Sequence, residues 1–79
     1  MTDDFIVLYA LRHAITTQNL EFPQTAAYIN DNIAEISGNI LKEMLAELSD
    51  YYKERTEDKN YLLAKILATQ IKRELSGGD

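Results

Sequence analysis

Apolar residues recur along this chain at steps of three and four, the spacing that places side chains on one face of an α-helix. The pattern is clearest between residues 41 and 52, where charged residues fill the opposite face. A second stripe with the same spacing runs from Phe22 to Ile36. These helical periods predict an all-α fold.

Capping signals divide the pattern into four helices. Thr2 is a candidate N-cap followed by acids, Pro23 suits a first helical turn, Ser37 caps a third helix, and Thr56 precedes further acids. Gly77 follows the last apolar position and marks a helix end. The predicted helices cover about residues 3–17, 23–35, 37–55 and 57–75.

The length of the chain predicts a single domain. With 79 residues, it has roughly half the usual length of a domain, so we expect one compact four-helix bundle over residues 1–79, with residues 76–79 as a disordered tail. Apolar side chains cover roughly 200° of the first helix, which predicts a central position for that helix. No cysteine is present, so disulfides and thiolate zinc sites are excluded.

The sequence offers little for catalysis. Its one histidine, His13, has no thiolate or second imidazole near it in the chain to complete a zinc site. Neither a glycine-rich oxyanion loop nor a phosphate-binding loop is present. We therefore expect no catalytic residue, no cofactor and no metal, and we interpret His13 as a half-exposed structural residue.

The negative net charge of the chain favours a partner with a basic surface. Eight Lys and Arg against thirteen Asp and Glu give a net charge of −5, which disfavours binding to nucleic acid or to an anionic membrane. Four acids at helical spacing form a line on the third helix, called here the acidic row: Glu43, Glu47, Asp50 and Glu54. The row is either an ordinary solvated face or a strip that docks on a basic groove of another protein. Tyr51 and Tyr52 on the same helix are the candidate anchors for such a partner.

Two further features of the sequence require contacts, either within the fold or with another molecule. Arg12 lies on the most apolar helix, so we expect its stem on the core and its charged head at a carboxylate or at helix carbonyl groups, with an anion site as the alternative. Leu62 and Ile66 project from the fourth helix on the side opposite its broad apolar face. They indicate either a helix covered on two sides or a homo-oligomer interface.

The second and third helices also have the parts of a helix-turn-helix, since a Ser-Gly turn joins a short helix to a Ser-capped one. A recognition helix must present basic or amide side chains to DNA, whereas this helix presents the acidic row. A DNA-binding regulator is therefore the alternative to a protein-binding factor.

No targeting signal is recognisable at the amino terminus. Its longest apolar run, from Phe5 to Leu11, has seven residues, which is too short for a membrane span. Together with the lack of cysteine, this predicts a cytoplasmic protein without membrane contact.

Two stretches, LYALRHAI at residues 8–15 and TAAYINDNIAEIS at residues 25–37, resemble small, mostly uncharacterised helical proteins encoded by phages and prophages. The resemblance covers roughly residues 5–48 and includes a Tyr-Ala-Leu-Arg helix, a Tyr-Ile pair and a Ser-capped third helix. The chain departs from it after Ala14, where Ile-Thr-Thr stands in place of Leu-Gly-Arg. The resemblance implies a small accessory factor in the host cytoplasm, acting on host machinery such as a defence system, with no catalytic residue.

Overall fold

The computed structural model describes residues 4–16 and 22–77. Over these two ranges the chain forms four α-helices and no β-strand, so the predicted all-α fold is confirmed. The helices are α1 Asp4–Thr16, α2 Phe22–Asp31, α3 Gly38–Glu54 and α4 Tyr61–Leu75, and a 3₁₀ turn spans Ile33–Glu35.

The helices form a four-helix bundle with a ring-like order of contacts. The most extensive contact joins α3 and α4, while α1 packs on α2 and α3, and α2 packs on α1 and α4. Asp4 lies beside Ser37 and Arg12 lies beside Glu47, so α1 and α3 run parallel. The short connection between α3 and α4 makes these two helices antiparallel neighbours.

All four helices contribute to one core. The ring of Phe22 at the start of α2 stacks on Tyr51 of α3, with 5.5 Å between the ring centroids. Burial of each large apolar side chain contributes about 1.5–3 kcal/mol, which is the main source of stability in a chain without disulfides. The largest fully buried side chains are Leu11, Phe22, Ile29, Leu41, Met44, Leu48 and Ile71.

The first helix lies at the periphery of the bundle, so the prediction of a central position is wrong. Only α2 and α3 pack extensively on α1, and the sector that faces them contains its buried residues. Phe5, Ile6 and Tyr9 point away from that sector and are exposed. When the apolar sector of a helix is wider than its two neighbours can cover, part of that sector stays exposed to solvent.

The second helix ends earlier than predicted, at Asp31. The side-chain amide of Asn32 donates to the carbonyl oxygen of Tyr28 at 2.8 Å, a local hydrogen bond that competes with continuation of the helix. The rest of the predicted segment forms the 3₁₀ turn. Its apolar stripe still faces inward, because Ile33 packs against the core and Ile36 is buried.

The start of the third helix is as predicted. Ser37 is the N-cap of α3, and its hydroxyl accepts a hydrogen bond from the backbone N–H of Ile40 at 3.4 Å. The backbone N–H of Ser37 also donates to the carboxylate of Asp4 at 2.9 Å. The same residue therefore caps α3 and ties it to the first turn of α1.

The fourth helix begins at Tyr61, four residues later than predicted, so the assignment of Thr56 as its cap is wrong. Two successive turns precede it, in which Asp58 N–H donates to Arg55 and Tyr61 N–H donates to Asp58, each at 3.0 Å. The Asp58 carboxylate also accepts from the backbone N–H of Asn60 at 2.8 Å. Aspartate favours this local turn, and the turn displaces the first predicted turn of helix.

The remaining boundary predictions concern the ends of helices. Pro23 lies in the first turn of α2. Ser76 and Gly77 form a turn after α4, and Gly77 has a φ of +94°, a conformation that glycine adopts without steric cost. The predicted Thr2 cap, the predicted limits of the first helix and residues 78–79 of the predicted tail lie outside the described residues.

Candidate protein-interaction surfaces

The acidic row lies on the side of α3 that faces α1. Glu47 accepts a hydrogen bond from Nε of Arg12 at 2.6 Å, which confirms the expectation that Arg12 reaches a carboxylate. Glu43, Asp50 and Glu54 are exposed. Among the residues that the structure describes, no lysine or arginine forms an ion pair with these three. One member of the acidic row is therefore neutralised inside the fold, and three carboxylates face solvent.

The carboxylates of the acidic row act on the charged head of Arg12. The pKa of Arg12 is raised above its ordinary value, chiefly by the hydrogen bond to Glu47, and desolvation opposes this rise. The charges of Glu47 and Glu43 raise the pKa of Arg12 further. Arg12 therefore stays cationic at any pH at which the protein is folded, and its ion pair with Glu47 fixes the exposed side of α1 next to the row.

The two tyrosines predicted as anchors differ in position. Tyr51 is 3% exposed and stacks on Phe22, so it is not available to a partner that docks on the folded chain. Its place one turn after Leu48 puts it in the inward stripe of α3. Tyr52 is half-buried and packs edge-to-face on Tyr61, with 6.3 Å between the ring centroids.

Two exposed aromatic rings that the sequence pattern did not single out lie on α1, the helix that contains Arg12. Phe5 and Tyr9 are one turn apart on α1 and are exposed by 66% and 68%. Tyr9 is close enough to Arg12 to contribute to the raised pKa of the guanidinium. Tyr9 thus lies near the Arg12–Glu47 ion pair, and Phe5 lies one turn before Tyr9 on α1. The signal in the sequence for Tyr9 was its place outside the apolar sector of α1, in the narrow sector that contains Arg12.

A charged cluster occupies the connection between α3 and α4. The guanidinium of Arg55 lies 5.6 Å from the ring centroid of Tyr51, a cation–π contact. Burial raises the pKa of Tyr51, and the nearby Asp58 raises it further. The pKa of Asp58 is lowered, first by the backbone N–H of Asn60 and further by the charge of Arg55. These contacts are internal to the connection, so we assign them to the structure of the turn.

The candidate oligomer-interface residues lie on the outside of α4. Leu62 and Ile66 are exposed by 68% and 57%, and they line a shallow groove with Lys65 and Thr69. Ile66 also lines a second groove with Leu63, between α4 and α2. The extra apolar seam that the sequence indicated is thus uncovered within the described chain.

Grooves run along both sides of α2. The groove against α4 is lined on the α2 side by Pro23 and Ala27, and the groove against α1 is lined by Ile6, Ala10 and Tyr28. Because α2 borders both grooves, Ile6 of α1 and the exposed apolar residues of α4 belong to one surface. We call this surface the apolar face and define it by Ile6, Ala27, Tyr28, Leu62, Leu63 and Ile66.

Other site classes receive no support from the described residues. His13 is exposed. Over residues 4–16 and 22–77, no group of three or more His, Cys, Asp or Glu side chains converges to hold a metal ion. No α-helix in this part of the chain combines the length and the apolar character needed to cross a membrane.

The arrangement of α2 and α3 differs from that of a helix-turn-helix motif. Six residues with a 3₁₀ turn separate α2 from α3, where the motif has a turn of three or four. The backbone of α2 packs on α1 and α4, and its contact with α3 is through side chains such as Phe22 on Tyr51.

Comparison with known proteins adds no relative. No protein-family model matches the chain, and no curated protein and no solved structure is significantly similar to it.

Proposed function

We propose that this chain is a noncatalytic, cytoplasmic protein-binding factor whose acidic row docks on a basic surface of a larger protein. The observation that supports this most is the alignment of three exposed carboxylates, those of Glu43, Asp50 and Glu54, without an ion-pair partner among the described residues. Like charges at helical spacing cost a helix a few tenths of a kcal/mol per pair. Contact with a basic partner relieves that cost.

The acidic row and the neighbouring rings have separate tasks in this proposal. The carboxylates steer the encounter and set its orientation, since charge complementarity acts mainly on association rate and specificity. Phe5 and Tyr9 supply the apolar contact, because exposed aromatic side chains give a large contact area for few rotatable bonds. Tyr52, which is half-buried, can add contact at the far end of the row.

The resemblance of residues 5–48 to phage and prophage proteins indicates the class of partner. It favours a component of the host machinery, such as a defence protein whose basic groove binds nucleic acid. Occupation of that groove by the acidic row would block it without any chemistry on the part of this chain.

The test is affinity capture from a bacterial lysate with the tagged chain and two charge-matched variants. Glu43→Lys/Asp50→Lys reverses two exposed members of the row, and Asp31→Lys/Glu35→Lys reverses two exposed acids on other elements. Both change the net charge by the same amount, and circular dichroism checks that both fold. We expect at least a roughly tenfold loss of captured protein with the first variant and none with the second. Equal capture by both variants would refute the role of the row.

The apolar contact is tested separately. Phe5→Ser/Tyr9→Ser should weaken binding of the captured partner by about 10- to 100-fold, the usual effect of removing aromatic anchors. Tyr28→Ser is the control, because Tyr28 is an exposed ring on α2, in the groove lined by Ile6 and Ala10. A similar loss with the control would mean that Phe5 and Tyr9 have no special role.

The alternative of DNA binding is tested by a mobility shift. At about 20 mM salt, where phosphate contacts are strongest, we expect no shift of a mixed-sequence duplex by the wild-type chain. A salt-sensitive shift would replace the proposed function with DNA binding.

A further inference from the structure

The apolar face is large for a chain of this size. Its five large side chains, Ile6, Tyr28, Leu62, Leu63 and Ile66, are exposed by between 36% and 68%. At about 150–250 Å² for a fully exposed large side chain, these fractions correspond to roughly 400–700 Å² of mainly apolar surface. That is the upper end of what single-chain proteins leave in water, and larger patches mark interaction sites.

The area also agrees with what a stable dimer needs. A standard protein interface buries about 800 Å² on each partner. The small and polar residues between the large ones, such as Ala10, Pro23, Ala27 and Gln24, add to the surface that a partner would cover. The apolar face is therefore wide enough for an interface without contribution from the acidic row.

The charge distribution distinguishes between occupants of the face. The only charged residue of α2 is Asp31, at the end of the helix. Among the described residues, the one charged side chain that lines the three grooves is Lys65, so a basic partner finds no carboxylate there. Two copies of this chain each carry a net charge of −5, but they can meet through this face with both acidic rows directed away from the contact. The face thus fits a second copy better than it fits a basic partner.

The apolar face has both grooves and exposed side chains that could fill them in a second copy. Grooves lie on both sides of α2, and Tyr28 and Ile66 project at their edges. Ala27 is the exposed small residue between them, which allows another helix to approach α2 closely. In a two-fold arrangement, each copy supplies projecting side chains and grooves to the other. We infer that this chain forms a symmetric dimer in which the apolar faces of two copies cover each other, with α2 at the centre.

The dimer is independent of the proposed function. The acidic row remains exposed on both copies, so a failure of the dimer leaves partner capture by a single chain untouched. Conversely, a chain that captures nothing can still dimerise through the apolar face.

Sedimentation equilibrium of the full chain tests the inference over about 1–200 μM, a range that brackets interfaces of micromolar strength. We expect the mass of a dimer at the upper end. Ala27→Arg should raise the dissociation constant at least about 30-fold, because it introduces a long charged side chain at the centre of the contact. Ala46→Arg is the matched control, since Ala46 is an exposed alanine on α3, and it should leave the dissociation constant within about twofold. Both variants lower the net negative charge equally, so general repulsion does not explain a difference.

A second variant keeps the inference testable if Ala27→Arg does not fold. Leu62→Gln/Ile66→Gln replaces two exposed residues and should weaken the dimer about tenfold or more. A wild-type chain that stays monomeric at about 200 μM would overturn the inference and leave the face to a different protein. A dimer that both variants leave intact would also overturn it, because the interface would then lie elsewhere.

Discussion

The acidic row and the apolar face differ in what water does to them. Water solvates the carboxylates of the acidic row and leaves only their mutual repulsion, whereas water disfavours the whole apolar face in proportion to its area. α1 contributes to both surfaces, because Tyr9 lies near the Arg12–Glu47 ion pair of the row and Ile6 lies on the apolar face. In a bundle where each helix has two main neighbours, one helix can serve two surfaces. Contacts at the two surfaces should therefore respond differently to mutation and to salt.

The largest expected effect is the difference in stability loss between a substitution in the core and one on the apolar face. Ile71→Ala should lower the free energy of unfolding by about 2–5 kcal/mol, because Ile71 is fully buried and its truncation leaves a cavity. Ile66→Ala on the same helix should change the unfolding of the monomer by less than about 0.5 kcal/mol. Urea unfolding of both variants, at a concentration below dimer formation, checks the pair. A large loss for Ile66→Ala would mean that its side chain belongs to the core.

Salt should sharpen the contrast between the two surfaces. Raising the salt from about 50 mM to 500 mM shortens the Debye length to a few ångströms and should weaken partner binding at the acidic row about tenfold or more. The dimer should keep its dissociation constant within about twofold, because apolar contacts are not screened. Binding of the captured partner and the solution mass, measured in the same salt series, provide the comparison. A dimer that dissociates with added salt would contradict the assignment of its interface to the apolar face.

A smaller effect concerns the link between α1 and the row. Arg12→Gln removes the ion-pair partner of Glu47 and so adds a fourth free carboxylate to the acidic row. Binding of the basic partner should strengthen by about two- to fivefold at low salt, the range of a single exposed charge. Calorimetry with the captured partner measures this change. Weaker binding instead would show that the Arg12–Glu47 pair matters mainly for the position of Phe5 and Tyr9.

The smallest expected effect is the pH dependence from the turn before α4. The pKa of Asp58 lies below its ordinary value in the fold, first because the carboxylate accepts the N–H of Asn60. The stabilisation is therefore fully present above the unfolded pKa of about 4 and is lost as the pH falls through the lowered folded value. Asp58→Asn keeps an acceptor oxygen, so the free energy of unfolding of this variant should differ from that of the wild type by no more than about 0.5 kcal/mol at neutral pH. Below about pH 4 the two free energies should converge. Urea unfolding from about pH 6 to 2.5 tests this.

The connections that the structure describes, from α2 to α3 and from α3 to α4, show what local sequence can specify. Ser37 is the residue that prediction and structure agree on, since a cap needs only a hydroxyl acceptor before a run of helix-forming residues. Thr56 has the same signal, but Asp58 two residues later forms a competing turn with Asn60. The cap signal predicted a helix start at both Ser37 and Thr56, and the competing turn at Asp58 was not predicted.

The surfaces depend on contacts between helices, which the sequence period does not contain. The width of the apolar sector on α1 was visible, but which part stays exposed depends on the positions of α2 and α3. Likewise, the spacing put Tyr51 and Tyr52 on one face, and only packing against Phe22 separates a buried ring from a half-buried one. The Arg12–Glu47 ion pair was expected for Arg12, but its partner was not identified, because it lies 35 residues away in the chain.

The strong contact between α3 and α4 has a consequence for how the chain folds. These two helices are joined by a short connection, so their contacts form with little loss of chain entropy. The hydrogen bond from Ser37 to Asp4 spans 33 residues and needs α1 to return across the chain. We expect the α3–α4 hairpin to form in the transition state of folding and α1 to dock afterwards. Weakening the contact of α1 should then accelerate unfolding and leave the folding rate nearly unchanged.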